Sequence, residues 1–206
     1  MTHEIFIFSL TVFMGFFAIM NPIENTPVFM GLTSGMDSET KKRIARKSTL
    51  TAFIIVTSFV ILGKYIFDLF GITIPAFKIT GGILLFYVGF EMLMSQKSKV
   101  HSLGQKNPDE GIAVSPLAIP ILAGPGTIVT AMNNVTNASY LHIGIVIGIF
   151  ALMIYLTYLS FKLSDVIVKK VGENMILVIG KIMGLILAII GTDMVIDGVK
   201  VAFSIP

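Results

Sequence analysis

Two stretches of this chain place hydrogen-bonding and helix-breaking residues inside long apolar segments. AIMNPIENTPVF, residues 18–29, contains two prolines, two asparagines and a glutamate, and AIPILAGPGTI, residues 118–128, contains a Gly-Pro-Gly motif. Proline removes a backbone donor and clashes with the carbonyl four residues earlier, so each stretch predicts a break in a helix. Non-helical backbone at membrane depth is tolerated only where protein buries it or where it lines a wet cavity. Such backbone can bind a polar solute.

The residue types around the two breaks suit a zwitterion. A half-helix that begins after each break would present N–H groups and the positive end of its dipole to a carboxylate. Asparagine oxygens and carbonyls released by proline would accept hydrogen bonds from an ammonium group. The alternative is that the breaks are kinks that aid packing, since Pro and Gly are common in membrane helices. The predicted substrate-binding residues are Asn21, Pro22, Glu24, Asn25, Gly124, Pro125, Gly126 and Thr127.

Three acidic residues interrupt the apolar segments. Glu24 lies within the first break, where it could repel a substrate carboxylate, bind a cation or ammonium group, or face the cytoplasmic surface. Glu91 and Asp193 lie in later segments, and a charge inside a membrane span is a functional hypothesis by default. We predict coupling or gating roles for Glu91 and Asp193. The alternative is that both carboxylates reach water at the membrane interface.

The composition fixes the class of protein that must hold these residues. The chain has 206 residues, 54% hydrophobic and 13% charged, against about 25% charged in soluble domains. Apolar stretches near 20 residues recur, which predicts an all-α integral membrane protein. The absence of cysteine excludes thiol catalysis and thiolate metal sites, and no HExxH motif or P-loop is present. We therefore expect no enzyme activity, no cofactor and no metal site, and the net charge of +3 is too small to indicate nucleic-acid binding.

The charge pattern predicts six spans with both termini outside the cytoplasm. Twelve of the fifteen Lys and Arg residues follow spans 1, 3 and 5, and the other face has only three. Basic residues concentrate in cytoplasmic loops, which sets this orientation. If the two broken segments did not cross the membrane, nine Lys and Arg residues would lie on one face and six on the other, which is a weak orientation signal. We therefore expect both segments to span. The predicted spans are 5–33, 48–70, 74–95, 112–134, 140–162 and 175–200, with charged loops at 34–47, 96–111 and 169–174.

The two halves of the chain show weak internal similarity. KITGGILLF begins at Lys78 and KIMGLILAI begins at Lys181, an offset of 103 residues. The same offset sets the Asn-Pro of the first break on the Gly-Pro of the second. Three spans in each half would give the halves opposite orientations, which is the inverted repeat of many secondary transporters. We predict one membrane domain built from two inverted three-helix repeats, 1–96 and 112–206, joined by a cytoplasmic linker, 97–111, with helices 1 and 4 broken.

Three of these stretches also carry a family resemblance. NPIENTPVF, GGILLFYVGFEML and PLAIPILAGPGTI resemble signature stretches of the MarC family of bacterial inner-membrane proteins, which is grouped with small neutral amino acid transporters. The resemblance covers essentially the whole chain and implies a multi-pass inner-membrane protein. For some members it also implies uptake of glycine or alanine driven by an ion gradient. The chain departs from the family pattern at Glu24, where glycine is usual, and at Asp193, where an uncharged residue is usual.

Together these observations predict a secondary transporter of small neutral amino acids in the bacterial inner membrane, with periplasmic termini. The expected partners are the substrate, the lipid bilayer and an H⁺ or Na⁺ ion for coupling, and association into a homo-oligomer stays open. Two alternatives also stay open. The chain could export or carry another small polar solute, or it could be a structural membrane protein that transports nothing, although that would leave the repeated breaks unexplained.

Overall fold

The computed structural model describes residues 2–94, 110–136 and 138–204, and within these ranges the regular secondary structure is entirely helical. Most of the predicted linker 97–111 lies outside the described residues. A short 3₁₀ turn, Glu110–Ala113, leads into an irregular helical segment, Val114–Leu122. The α-helices are α1 Thr2–Met20, α2 Asn25–Leu32, α3 Ser38–Phe70, α4 Ile74–Met94, α5 Pro125–Val135, α6 Tyr140–Lys162, α7 Ser164–Val171 and α8 Glu173–Phe203.

The helices have the length and composition of membrane spans. Five helical stretches are long and apolar enough to cross a bilayer, and α1 and α2 together form one of them, His3–Leu32. The irregular segment and α5 meet at an angle of 43° and make a sixth span when counted together. Large apolar side chains cover the outer surface of the described bundle, as lipid-facing positions require. The predicted all-α, multi-pass class is confirmed.

Two predicted loops are wrong, because helices extend into both. The segment 34–47 is helical from Ser38, where the Asp37 carboxylate accepts a hydrogen bond of 2.6 Å from the Thr40 amide and caps α3. This hydrogen bond also lowers the pKa of Asp37. The segment 169–174 is helical up to Val171, because it contains the last turn of α7, where Lys169 and Lys170 complement the helix dipole.

The tightest helix pair is α4 with α8, which run antiparallel along a seam of glycines. Gly82 faces Gly191, and Gly89 faces Gly184. A Cβ atom at Gly82 would lie 2.5 Å from the Gly191 carbonyl oxygen, and one at Gly89 would lie 2.5 Å from the Gly184 carbonyl oxygen. Small residues of this kind let membrane helices approach backbone to backbone.

The broken helices lie between this pair and a second pair, α3 with α6. Phe16 of α1 packs on Phe150 of α6 with ring centroids 5.0 Å apart, and Phe29 of α2 stacks on Phe161 at 4.4 Å. On the other side, Ala18 of α1 belongs to a buried cluster with residues of α4, α5 and α8. The breaks are therefore held in the centre of the bundle, with a packed core on each side.

Candidate functional site

The first break lies between α1 and α2, at residues 21–24. Asn21 adopts a left-handed backbone conformation with φ of +29°, which ends α1 in the middle of the span. Asparagine tolerates this conformation better than most residues because its short side chain forms local hydrogen bonds. Pro22 follows and cannot donate a backbone hydrogen bond. Both residues are buried, so the break lies inside the protein and away from lipid.

The polar side chains of the first break bond mainly to one another. The Asn21 Nδ2 donates to the Glu24 carboxylate at 2.8 Å, and the Glu24 amide donates to the Asn21 Oδ1 at 3.4 Å. The Asn25 Nδ2 donates to the Met20 carbonyl at 2.6 Å and so caps the end of α1. The start of α2 thus offers fewer free donors than the sequence suggests, because local side chains and carbonyls already accept from its amides.

Glu24 also contacts the last long helix. A Cβ atom built on Gly180 of α8 would lie 2.6 Å from the Glu24 carboxyl carbon, so the glycine leaves the space that this carboxylate fills. The GxxxG spacing of Gly180 and Gly184 predicts that both glycines lie where two helices pack closely. In the structure only Gly184 lies in the seam with α4, and Gly180 accommodates Glu24.

The second break lies between the irregular segment and α5. Gly124 is extended, with φ of −74° and ψ of 169°, and Pro125 occupies the first position of α5. The amides of Gly126 and Thr127 belong to the first turn, where helical N–H groups have no partner within the helix. Gly126 and Thr127 are buried, so this helix start is enclosed by protein.

The two breaks are neighbours. A Cβ atom at Gly126 would lie 2.8 Å from the Ile19 Cδ1 and 3.5 Å from a Leu85 methyl. The last turn of α1 therefore packs directly on the first turn of α5. The structure sets the Gly-Pro-Gly motif against Ile19, two residues before the Asn-Pro motif, and glycine at position 126 is what allows the approach.

A polar cavity of about 200 Å³ lies next to this contact. Its walls come from α1, α4, α5 and α8, and Leu85 lines it as well as approaching Gly126. The Thr130 hydroxyl is buried and has no hydrogen-bond partner among the residues that the structure describes, and Thr130 lies one helical turn beyond Thr127. The lining residues are Thr11, Gly15, Leu85, Thr130, Asn133, Asn134, Ile190, Asp193, Met194 and Asp197.

Two carboxylates give the cavity a negative rim. Asp193 and Asp197 are both exposed, and Asp197 pairs with Lys78 of α4 at 3.5 Å. The Asn134 Nδ2 donates to the Thr130 carbonyl at 2.8 Å, which orients the Asn134 amide. A hydroxyl, amides and carboxylates around a small volume can bind a compact polar or cationic group. Glu91 is exposed on α4 and does not line this cavity.

Sequence reasoning identified the breaks but missed much of the cavity. It does not assign Thr11, Thr130, Asn133, Asn134 or Asp197 to a site. A signal was available, since Thr130, Asn133 and Asn134 have the i, i+3, i+4 spacing of one helix face. Across the described part of the chain, no cluster of three or more potential ligands could hold a metal ion.

Comparison with known proteins gives the family. The model of the MarC family integral membrane proteins matches residues 6–203. The "UPF0056 membrane protein YvbG" of Bacillus subtilis is 40% identical, covering 97% of this chain and 98% of the relative. A UPF0056 membrane protein of Pyrococcus horikoshii is 40% identical over 94% of this chain and 95% of the relative. In Escherichia coli, the "UPF0056 membrane protein YhcE" is 32% identical over 93% of this chain and 91% of the relative.

No solved structure matches the chain. The names of these relatives describe membrane proteins and specify neither a substrate nor a reaction. The match of the family model and the coverage of the relatives both extend over nearly the whole length. The chain therefore belongs to the MarC family of integral membrane proteins.

Proposed function

We propose that this chain is an ion-coupled secondary transporter of small neutral amino acids of the glycine and alanine class. The observation that carries the proposal is the buried Thr130 hydroxyl, which has no partner among the described residues and belongs to a residue that lines the cavity one turn beyond the second helix break. An unpaired buried polar group is costly in a membrane protein. A polar ligand that bonds to this hydroxyl would remove the cost.

The lining of the cavity matches the two charged ends of an amino acid. The carboxylate of the substrate would accept a hydrogen bond from the Thr130 hydroxyl, and it would reach the first-turn amides of α5, which do not line the cavity, only when the contact of Ile19 with Gly126 opens. The ammonium group would lie toward Asp193 and the side-chain oxygens of Asn133 and Asn134. The volume of about 200 Å³ is below the roughly 300–1,000 Å³ of drug-sized pockets, which favours a small side chain.

Transport also requires a path past the breaks. The packing of Ile19 on Gly126 separates the cavity from the polar Asn21–Glu24 pair of the first break. We infer that this contact is the barrier in the present conformation and that it opens when the substrate crosses. Asp193 is the candidate site for the coupling H⁺ or Na⁺, because its carboxylate lines the same cavity.

The test is uptake of labelled glycine and alanine into proteoliposomes, with and without a proton or sodium gradient. Phenylalanine serves as the oversized substrate. Uptake of the two small amino acids, driven by one of the gradients, is the expected result. If neither is taken up under any gradient, the proposal fails, and uptake of a different polar solute by the same vesicles would indicate the alternative carrier function.

A matched pair of threonine variants ties the activity to the cavity. Thr130→Val removes the hydroxyl at nearly constant volume, and the loss of a hydrogen bond to a charged group costs about 1.5–3 kcal/mol, or about tenfold to a hundredfold in affinity. Thr57→Val is the control, because the Thr57 hydroxyl is also buried without a partner but does not line the cavity. Equal substrate affinities in the two variants would contradict the proposed site.

A further inference from the structure

A second, larger cavity lies away from the breaks, in a groove between α3 and α6. Its volume is about 750 Å³. One end is charged, and the remainder is apolar and aromatic. The lining residues are Glu39, Lys42, Arg43, Arg46, Thr49, Leu50, Phe53, Ala151, Ile154, Tyr155 and Tyr158.

The groove changes from basic to apolar along its length. On α3, Lys42 and Arg46 are followed one and two turns later by Leu50 and Phe53 on the same face. At 1.5 Å rise per residue, residues 42 to 53 span about 16 Å. Phe53 stacks on Phe150 of α6, which closes the floor of the groove at its apolar end. The charged end therefore lies at the start of α3, and the apolar end lies in the middle of the bundle.

The groove is open to the surroundings of the protein. Leu50 is 53% exposed and Tyr155 is 56% exposed, although both lie within a candidate membrane span. The side chains of Lys42 and Arg46 are also exposed. Lys42, Arg43 and Arg46 stand at the charged end with one carboxylate, Glu39, and the nearby Asp37 carboxylate interacts with Arg43, so the local charge is still positive.

We propose that this groove binds an anionic glycerophospholipid, with the lipid phosphate on Lys42 and Arg46 and an acyl chain along Leu50, Phe53 and Ala151. Arginine and lysine at the membrane interface attract anionic headgroups, and basic pockets between membrane helices bind them selectively. Arginine adds the donor geometry that suits phosphate. An acyl chain would cover the apolar surface that the headgroup contacts leave exposed.

The apolar length of the groove argues against a free phosphate as its occupant, and its positive charge argues against a second copy of the chain. A free phosphate would bind at the cations but would leave the apolar length of the groove uncovered. A second copy packed symmetrically through this groove would bring the same cations toward one another, because a two-fold interface joins the same patch on both copies. A lipid with a negative headgroup satisfies both ends of the groove at once.

The test is the thermal stability of the purified full chain in detergent, titrated with three probes. These are phosphatidylglycerol, phosphatidylcholine with the same acyl chains, and glycerol phosphate. Phosphatidylglycerol should raise the Tm saturably, and neither of the other two probes should do so at the same concentration. Equal effects of the two lipids would indicate annular lipid only, and an effect of glycerol phosphate equal to that of the lipid would indicate a free-anion site; each result overturns the proposal.

Two variants remove different parts of the groove. Lys42→Gln with Arg46→Gln removes the phosphate contacts and should weaken phosphatidylglycerol binding at least tenfold. Lys169→Gln with Lys170→Gln is the control, because it removes the same charge from exposed positions on α7, and it should leave the affinity unchanged. Equal affinities of the two double variants would contradict the proposal.

Ala151→Phe fills the apolar part and keeps every charge, so it should also weaken binding. Because this variant leaves the cations in place, it decides the question if the charge variant fails to fold. If Ala151→Phe instead disrupts a dimer and leaves lipid binding intact, the groove is an interface between copies and the lipid proposal is wrong.

Discussion

Gly180 illustrates how one missing side chain shapes the first break. The Glu24 carboxylate fills the space where a Cβ atom at position 180 would lie, and its hydrogen bond from Asn21 holds it there. The packing of α8 against the first break thus depends on a glycine whose role is to accommodate a polar group.

Gly180→Ala should therefore destabilise the protein by about 1 kcal/mol, at the low end of the usual cost of overpacking, because the atoms in the way are the flexible end of the Glu24 side chain. The added methyl group would displace Glu24 from its position beside Asn21. The measurement is the thermal unfolding midpoint in detergent, with Gly148→Ala as the control, because a Cβ atom there meets nothing within 4 Å. Adding Glu24→Ala to Gly180→Ala should restore part of the loss, and a double variant no more stable than the single one would show that Glu24 is not the cause.

We expect different effects from substitutions at Asp193 and Glu91, although the sequence predicts coupling or gating roles for both. Asp193 lines the polar cavity, and Glu91 does not. Asp193→Asn should change the half-saturating concentration of the coupling ion about tenfold or more, because a charge-assisted contact is worth about 1.5–3 kcal/mol. Glu91→Gln should leave that concentration unchanged.

The assay is proteoliposome uptake at fixed amino acid concentration over a series of proton or sodium gradients. The reverse pattern, with Glu91→Gln altering the ion dependence and Asp193→Asn not doing so, would remove the cavity from the coupling mechanism.

At the residue scale, the sequence predicted the breaks well and the cavity poorly. Asn21, Pro22 and Gly124–Gly126 are recognisable because proline and glycine alter the backbone wherever they occur. The cavity depends on which faces of α1, α5 and α8 meet, and single-sequence spacing cannot give that pairing. Asp197 is one example, because its contact with Lys78 joins residues 119 positions apart.

At the scale of elements, the α4–α8 pair carries most of the close packing. Gly82 lies 102 positions before Gly184, and Gly89 lies 102 positions before Gly191. Exchanging the two halves by this offset therefore turns the contact of Gly82 with Gly191 into the contact of Gly184 with Gly89. This correspondence is what a two-fold relation between the halves requires. This offset of 102 differs by one residue from the offset of 103 that relates Lys78 to Lys181, and the inverted repeat stays a prediction that this glycine seam supports.

Gly89→Leu should separate these two helices and cost roughly 3 kcal/mol or more, because the new side chain would meet the backbone of α8 and not a flexible side chain. Gly144→Leu is the matched control on α6, where a Cβ atom meets nothing within 4 Å. The measurement is the detergent concentration at the midpoint of unfolding. Similar midpoints for the two variants would mean that the seam is looser than the structure indicates.

The errors in the predicted elements have a common physical cause. Hydropathy locates the part of a helix that lies in lipid, but α3 begins at Ser38, about three turns before the predicted start of the span at residue 48. Lys, Arg and Glu are good helix formers, so the basic run 41–47 extends the helix beyond the apolar stretch. The charge pattern still indicates orientation, since the positive-inside signal does not depend on whether the flanking residues are helical.

At the scale of the whole molecule, the predicted orientation places both termini and the cavity rim outside the cytoplasm. The chain has no cysteine, so single cysteines can be labelled without background. Ser38→Cys should react only with a reagent on the cytoplasmic side, and Ser139→Cys should react only from the outside. Reaction of both positions from the same side would contradict six spans, because an odd number of crossings separates them in that arrangement.

Entry of substrate into the cavity beside the two breaks can be probed with a single cysteine in the cavity wall. Asn134→Cys places a thiol in the cavity wall, and Ser139→Cys places one just before α6, outside the cavity. The measurement is glycine uptake after treatment with a membrane-impermeant thiol reagent from outside, with and without saturating glycine or alanine. Modification should block uptake only in Asn134→Cys, and the amino acids should slow the modification of this cysteine. Full uptake by the modified Asn134→Cys protein, or modification at the same rate with and without substrate, would contradict the entry of substrate into this cavity.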